Sequence, residues 1–144
     1  MTETDRNWIE TGHLVDVEVP QAAAEAILAA VGRVCPLKHG DFEAVSFASH
    51  PGTQRFRVLP GARNASTEAV VEVACVSLRF FVPSEEGVLS AVLSALYDVH
   101  PYEEPVVYVH DVRRGRHRRG ADDDNPNRFW NRPTPEWVPE PHRN

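Results

Sequence analysis

LVDVEVPQAAAEAILAAV, residues 14–31, contains the pattern that decides the fold of this 144-residue chain. Its first part, LVDVEV, alternates valines with acidic residues, which is the period of a β-strand with one buried face. Pro20 ends the strand, because proline cannot donate to a sheet ladder. The alanine-rich QAAAEAILAAV that follows predicts a helix whose apolar face carries Ala23, Ile27 and Val31. The stretch therefore predicts one strand–helix unit.

The same strand–proline–helix pattern occurs a second time. EVACVSLRFFV, residues 72–82, predicts a long apolar strand that Pro83 ends, and EEGVLSAVLSALYDV, residues 85–99, predicts the second helix. The Val-Pro pairs 19–20 and 82–83 lie 63 positions apart. The chain therefore contains an internal duplication.

Three further strands complete the predicted sheet. FEAVSFA (42–48) and QRFRVLP (54–60) are joined by SHPGT, whose Pro51-Gly52 pair is typical of a hairpin turn. VVYVHDV, 106–112, is the last strand. Two β-α-β units on one antiparallel sheet predict an α+β, ferredoxin-like sandwich with both helices on one face. The other face stays uncovered, so we expect self-association to shelter its apolar side chains.

Composition indicates a soluble protein with one modest core, since 42% of residues are hydrophobic and 25% are charged. No apolar run approaches a membrane span, and the start MTETDRNWIE has no signal-peptide pattern, which predicts a cytoplasmic protein. We predict a leader (1–11), one domain (12–112) and an Arg/Pro-rich tail (113–144) that is either disordered or docked as an arm. Residues 1–112 carry a net charge of −9 and the tail carries +3, so the folded part should repel nucleic acid.

HPYEEP, residues 100–105, holds the densest group of chemically active side chains. Pro101 disfavours helix at His100, and in an extended segment His100 and Glu104 would stand roughly 13 Å apart, too far for one metal ion. Adjacent glutamates of an extended chain diverge, so no catalytic acid–base pair is predicted. Structural packing and ligand binding in a cleft between subunits both stay open. The candidate ligand-binding residues are His100, Tyr102, Glu103 and Glu104.

Metal-binding patterns are sparse in the sequence. Cys35 and His39 are spaced C-x3-H, with His100 and Glu103 as more distant candidate ligands, whereas a structural zinc site takes four ligands and usually includes a tighter pair. A divalent metal ion is the one cofactor that these residues leave open. No Walker A or G-x-G-x-x-G fingerprint for a nucleotide is present.

The order of elements, HGDFEAVSFASHPGTQRFRVLPGARN (39–64) and HPYEEPVVYVHDV (100–112) together resemble the small PII-like/CutA-like domain of the YqfO type. Such a domain occurs alone or inserted in dinuclear-metal proteins of the NGG-interacting-factor family. The resemblance covers about residues 12–112 and implies a ferredoxin-like fold of the kind that forms trimers in CutA and PII proteins. The two-metal site of the larger relatives is built by the halves that flank this insert, so the resemblance does not imply their activity.

These features support three hypotheses about function. The first is a non-catalytic, cytoplasmic regulatory module, a homo-oligomer and by resemblance a trimer, that binds a small ligand or a metal ion between its subunits. The second is a small metal-dependent enzyme. The third is a structural subunit whose tail, residues 113–144, recruits a protein partner.

Overall fold

The computed structural model describes residues 3–133 and 137–142, and within them five strands and two α-helices. In chain order these are β1 (Asn7–Val19), α1 (Ala24–Gly32), β2 (Phe47–Ala48), β3 (Gly52–Phe56), β4 (Val71–Pro83), α2 (Val88–Val99) and β5 (Val106–His117). None of the helices in these residues has the length and hydrophobicity that a membrane span requires.

The strands form one sheet in the order β2-β4-β1-β5, with β3 also paired to β4. β1 and β4 are antiparallel, from Gly12 opposite Pro83 to Val19 opposite Val76. The two duplicated strands are therefore neighbours at the centre of the sheet. This arrangement confirms the predicted α+β, ferredoxin-like fold.

The core lies between the sheet and the two helices, as the alternation of valines predicted. Val15, Val17 and Val19 are fully buried, while Asp16 and Glu18 between them point to the opposite face. Most of the other core side chains come from β4 and from both helices, and the largest are Leu78, Phe80, Val82, Ile27, Val31, Val92 and Leu96. Each large aliphatic side chain buried in this way contributes about 1.5–3 kcal/mol. The face of the sheet opposite this core is called the open face below.

The predicted hairpin turn at Pro51-Gly52 is wrong. Both β2 and β3 pair antiparallel with β4, with Phe47 opposite Arg79 and Gly52 opposite Cys75, so they are two parts of one edge strand. The register slips by one residue between them, because Pro51 has no N–H group to continue the ladder and interrupts the strand without reversing it. The chain reverses instead in the loop between β3 and β4.

Helix α2 begins at Val88, three residues later than the sequence pattern predicted. Gly87 precedes it with a φ of 84°, in the left-handed region that glycine adopts at little cost. The helical path cannot continue back through such a residue, so Glu85 lies before the helix. Its carbonyl accepts the N–H of Val88 at 3.3 Å.

Glu10–Arg114 form one compact unit, and the described residues before and after them form a second one. In the second unit Asp122 is an ionic centre: its carboxylate bonds Arg6, His117 and Arg128 at 2.7–2.9 Å. The hydrogen bond from His117, then that from Arg6, hold the pKa of Asp122 well below its ordinary value of 3.8. Short 3-10 helices in this unit span Phe129–Asn131 and Glu140–His142.

Candidate functional site

The segment from His100 to Pro105 connects helix α2 to strand β5. His100 ends the helix in an extended conformation, with φ −70° and ψ 131°, which the following proline favours. The chain then bends at residues 102–104 and enters β5 at Val106. The bend brings neighbouring side chains of this segment to one region, which a straight strand would not do.

His100 is buried, with 8% of its surface exposed, and both of its ring nitrogens are bonded. Nε2 lies 2.8 Å from the carbonyl oxygen of Glu18, and Nδ1 accepts the N–H of Tyr102 at 3.1 Å. Because Nδ1 accepts, Nε2 is the donor to Glu18. His100 thus joins the end of α2 to β1 and fixes the start of the segment, and it contacts a ligand only if one of these bonds is broken.

Tyr102 starts a line of hydrogen bonds across the open face. Its hydroxyl lies 3.0 Å from Cys75 Sγ, and that thiol donates to Gln54 Oε1 at 3.7 Å. Gln54 Nε2 in turn donates to Glu18 Oε1 at 3.1 Å. Since the thiol proton is used on Gln54, the Tyr102 hydroxyl is the donor to Cys75. Three strands, β1, β3 and β4, are connected through these side chains.

The environment of Tyr102 keeps its hydroxyl protonated. Burial is the largest cause that raises its pKa above the ordinary 10.0, followed by the hydrogen bond and charge of Cys75 and then the charge of Glu18. The ring of Tyr102 also packs on that of His100, with 4.9 Å between the centroids. Tyr102 therefore acts as a hydrogen-bond donor and a packing surface.

The two glutamates of the segment have different surroundings. Glu103 Oε1 accepts the backbone N–H of Asn64 at 2.8 Å, which ties the loop between β3 and β4 to the segment. Glu104 is exposed, and within residues 3–133 and 137–142 its carboxylate has no hydrogen-bond partner. One glutamate holds a loop and the other is available to a ligand.

A cavity of about 510 Å³ lies where β3, the loop after it, β5 and the bent segment meet. Tyr102, Glu103 and Glu104 line it together with Glu18. The other lining side chains from β3, its loop and β5 are Gln54, Arg55, Phe56, Arg57, Val58, Leu59, Ala62, Asn64, Val106 and Tyr108. The volume falls within the ~300–1,000 Å³ typical of small-molecule sites.

Three of the four predicted ligand-binding residues thus line the cavity. The fourth, His100, does not line it and instead bonds the start of the segment to β1. The sequence did not single out Glu18, Gln54 or Cys75. Glu18 alternates with buried valines and Cys75 lies in an apolar strand, so each pattern predicts an ordinary strand residue. Only the pairing of β1, β3 and β4 brings these side chains under Tyr102.

The predicted metal ligands lie in different surroundings. Cys35 is 3% exposed and belongs to the hydrophobic core. His39 forms a backbone bridge with Phe42 in the loop before β2. In the part of the chain that the structure describes, no three His, Cys, Asp or Glu side chains are grouped as a metal site.

A second cavity, of about 400 Å³, contains a histidine–aspartate pair. His13 Nδ1 lies 2.9 Å from Asp111 Oδ1, the contact that orients the imidazole in hydrolytic triads. Ser84 lines the same cavity, but among the described residues no hydrogen bond joins it to His13. The arrangement lacks an activated nucleophile, so the cavity at Tyr102 is the stronger candidate site.

Solved structures show what the chain resembles, whereas no family model and no curated protein sequence matches it. A Bacillus cereus protein related to NIF3 is 26% identical with a TM-score of 0.61; the match covers 73% of this chain and 26% of that one. CutA from Xylella fastidiosa is 16% identical with a TM-score of 0.52, over 72% of this chain and 84% of that one. The divalent cation tolerance protein of Thermus thermophilus is 19% identical with a TM-score of 0.50, over 69% and 82%.

These matches agree with the overall fold described above. The chain spans about a quarter of the length of the NIF3-related protein, and it spans most of the length of the two CutA proteins. The likeness to the CutA proteins is a likeness of fold. The chain therefore has a ferredoxin-like fold that is similar to that of the CutA proteins and to part of the NIF3-related protein.

Proposed function

We propose that this chain is a non-catalytic ligand-binding module and that its ligand binds in the cavity beside Tyr102. The observation that carries the proposal is the cavity itself, about 510 Å³, lined by three side chains of the bent segment 102–104. The protonated Tyr102 hydroxyl can donate a hydrogen bond but cannot serve as a base near neutral pH. Binding, with the loop after β3 as one wall, is the chemistry that this arrangement supports best.

The module is proposed to act in the cytoplasm as a homo-oligomer, with a trimer as the expected form. On the open face Phe47 is 56% exposed and Tyr108 is 54% exposed, next to partly buried Leu14 and Phe81. Aromatic side chains concentrated on one face favour association with another copy. A neighbouring subunit on this face would form a further wall of the cavity.

A divalent metal ion is the second candidate ligand. Glu18, Glu103 and Glu104 line the same cavity, although they are not grouped as a metal site in the described residues, and oxygen ligands suit divalent cations such as Mg²⁺ or Ca²⁺. The Thermus thermophilus protein with a similar fold is a divalent cation tolerance protein. Calorimetric titration of the full chain with MgCl₂, CaCl₂ and ZnCl₂ tests this candidate, and saturable binding that Glu104→Gln removes would favour it.

A substitution that fills the cavity with a large side chain tests the proposal. Ala62 lines it, whereas Ala65, three residues further along the same exposed loop, does not. A fragment set is screened by ligand-observed NMR on the full chain, and each hit is measured again with Ala62→Phe and Ala65→Phe. We expect the hits to be lost with Ala62→Phe and kept with Ala65→Phe. Hits that survive Ala62→Phe unchanged would place the binding site elsewhere and refute the proposal.

A further inference from the structure

The two arginines that line the cavity are directed to partners outside it. Arg55 Nε lies 4.0 Å from a carboxylate oxygen of Glu72, and Arg57 Nη1 donates to the carbonyl of Thr67 at 3.4 Å. Neither Glu72 nor Thr67 lines the cavity. Both guanidinium groups therefore contact groups that do not line the cavity.

The three carboxylates that line the cavity are bonded by neutral groups or, within the described residues, by no group. Among the described residues, Glu18 receives only the neutral amide of Gln54, and Glu103 receives only a backbone N–H. Glu104 has no hydrogen-bond partner within the described residues. No cation is paired with any of the three in the part of the chain that the structure describes. The cavity is therefore lined by three carboxylates without a direct cationic partner and by two arginines that contact other groups.

Aromatic and aliphatic groups surround these carboxylates. Tyr102, Tyr108 and Phe56 offer ring faces, which attract cations through the negative face of the ring. Burial is the largest cause that raises the pKa of Tyr102, and the charge of Glu18 is the smallest of the causes, consistent with a carboxylate close to the Tyr102 hydroxyl. Val58 and Leu59 supply an apolar wall. The site is thus suited to a positive group attached to an apolar body.

We propose that the cavity binds an organic ammonium ion, with its charged nitrogen between Glu18 and Glu104 and its apolar part against Val58 and Leu59. The inference rests on the proposed function, because it assigns the ligand class of the same cavity. Aromatic rings beside carboxylates distinguish such a cation from an inorganic one, which needs several oxygen ligands at short range.

The test compares three probes of the same length: hexylammonium, hexanol and hexanoate. Each is titrated into the full chain at pH 7, where the amine is protonated, and binding is followed by NMR and calorimetry. We expect hexylammonium to bind at least about 10-fold more tightly than hexanoate, with hexanol between them, because the site repels a carboxylate. Hexylammonium binding should be lost with Ala62→Phe and kept with Ala65→Phe.

Two matched variants test the role of charge. Glu104→Gln should weaken hexylammonium roughly 2- to 5-fold, the range of an exposed ion pair, and leave hexanol unchanged. Glu86→Gln, an exposed glutamate outside the cavity, should leave both unchanged. Tyr108→Leu should also weaken hexylammonium roughly 2- to 5-fold without weakening hexanol.

The results separate this inference from the proposed function. Hexanoate that binds as tightly as hexylammonium, or hexylammonium that does not bind, overturns the assignment of an ammonium ligand. Fragments that still depend on Ala62 would then keep the cavity as the binding site for another class of ligand. Hexylammonium binding that Ala62→Phe leaves intact overturns the inference as well, because the ion would then bind elsewhere.

Discussion

Gly12 lies at a point of β1 where no side chain fits. A Cβ atom there would stand 2.2 Å from Cζ of Phe81 and 2.6 Å from the carbonyl oxygen of Val82. The Phe81 ring cannot easily move away, since the Arg114 guanidinium stacks on it with 3.6 Å between its carbon and the ring centroid. Arg114 is held in place by Glu10 and by the carbonyl of Lys38.

We therefore predict that Gly12→Ala lowers the free energy of unfolding by about 1–3 kcal/mol, the usual cost of overpacking. Urea denaturation of the full chain measures this change. Gly32→Ala is the matched control, because a Cβ at Gly32 would meet nothing within 4 Å, and at the end of α1 it should be neutral or slightly stabilising. Equal effects of the two substitutions would contradict the close packing at Gly12.

Ionisation of the Tyr102 hydroxyl at alkaline pH lowers the free energy of unfolding. Its pKa in the folded state is above the ordinary 10.0, so folding favours the protonated hydroxyl. The stability that this hydroxyl contributes is fully present below pH ~10 and is lost as the pH rises through the folded-state pKa.

We expect the free-energy difference between the wild type and Tyr102→Phe to be constant from pH 7 to 9 and to shrink above pH 10. Urea unfolding of both proteins up to pH 11.5 measures this difference. Comparing two proteins that differ by one hydroxyl removes the effect of titrating groups that do not contact Tyr102. A difference that stays constant to pH 11.5 would show that the Tyr102 hydroxyl is not in the described environment.

At the scale of elements, the sequence predicted the strands and helices that follow a simple period. Alternating valines identified β1, and apolar residues at helical spacing identified α1 and α2. Two errors occur where one residue overrides the pattern: Gly87 delays α2, and Pro51 interrupts the edge strand without turning it. The sequence also made two strands too short, since β1 begins at Asn7 within the predicted leader and β5 ends at His117 within the predicted tail. A Pro-Gly pair has the same appearance in a turn and in an interrupted strand, so only the pairing partner distinguishes them.

The sequence predicted only those residues of the site that are adjacent to one another in the chain. HPYEEP identified Tyr102, Glu103 and Glu104 because proline, aromatic and acidic residues are adjacent there. Glu18 and Asn64 come from other parts of the chain, and their contribution depends on strand order and on one loop. No local pattern contains that information, because a register shift of one residue would move Glu18 to the other face.

One side chain of the bent segment, Glu103, holds the loop between β3 and β4 in place by a hydrogen bond. Glu103 accepts the N–H of Asn64, so Glu103→Ala should expose that amide and raise its hydrogen-exchange rate roughly 2- to 10-fold, the equivalent of one net hydrogen bond. Exchange measured by NMR on the full chain gives the result.

Glu104→Ala provides the control for this prediction, since the neighbouring glutamate does not contact Asn64. Glu103→Gln should largely restore protection, because its amide oxygen can still accept. If the Glu103→Ala and Glu104→Ala proteins exchange Asn64 at the same rate, Glu103 does not hold the loop.

At the scale of the whole molecule, the duplication explains both the fold and the proposed assembly. Two strand–helix units place both helices on one side of the sheet, so the side chains of Val15, Leu78 and Leu96 are fully buried there. Within residues 10–114 no helix covers the open face. Exposed aromatic rings on that face are the reason to expect an oligomer.

Phe47→Lys should therefore dissociate the oligomer, because it places a second positive charge beside Arg79, which stacks on the Phe47 ring at 4.8 Å in the native protein. Tyr97→Lys is the control, since Tyr97 is 50% exposed on helix α2, away from the open face. Sedimentation velocity should show a smaller species only for Phe47→Lys. A wild-type protein that sediments as a monomer at high concentration would contradict association through this face.

A crystal structure of the full chain with a fragment hit or hexylammonium soaked in tests the central claim most directly. We predict ligand density in the cavity, in contact with Tyr102 and with the loop at Asn64. Clear ligand density at another site, with this cavity empty, would contradict the assignment of the binding site.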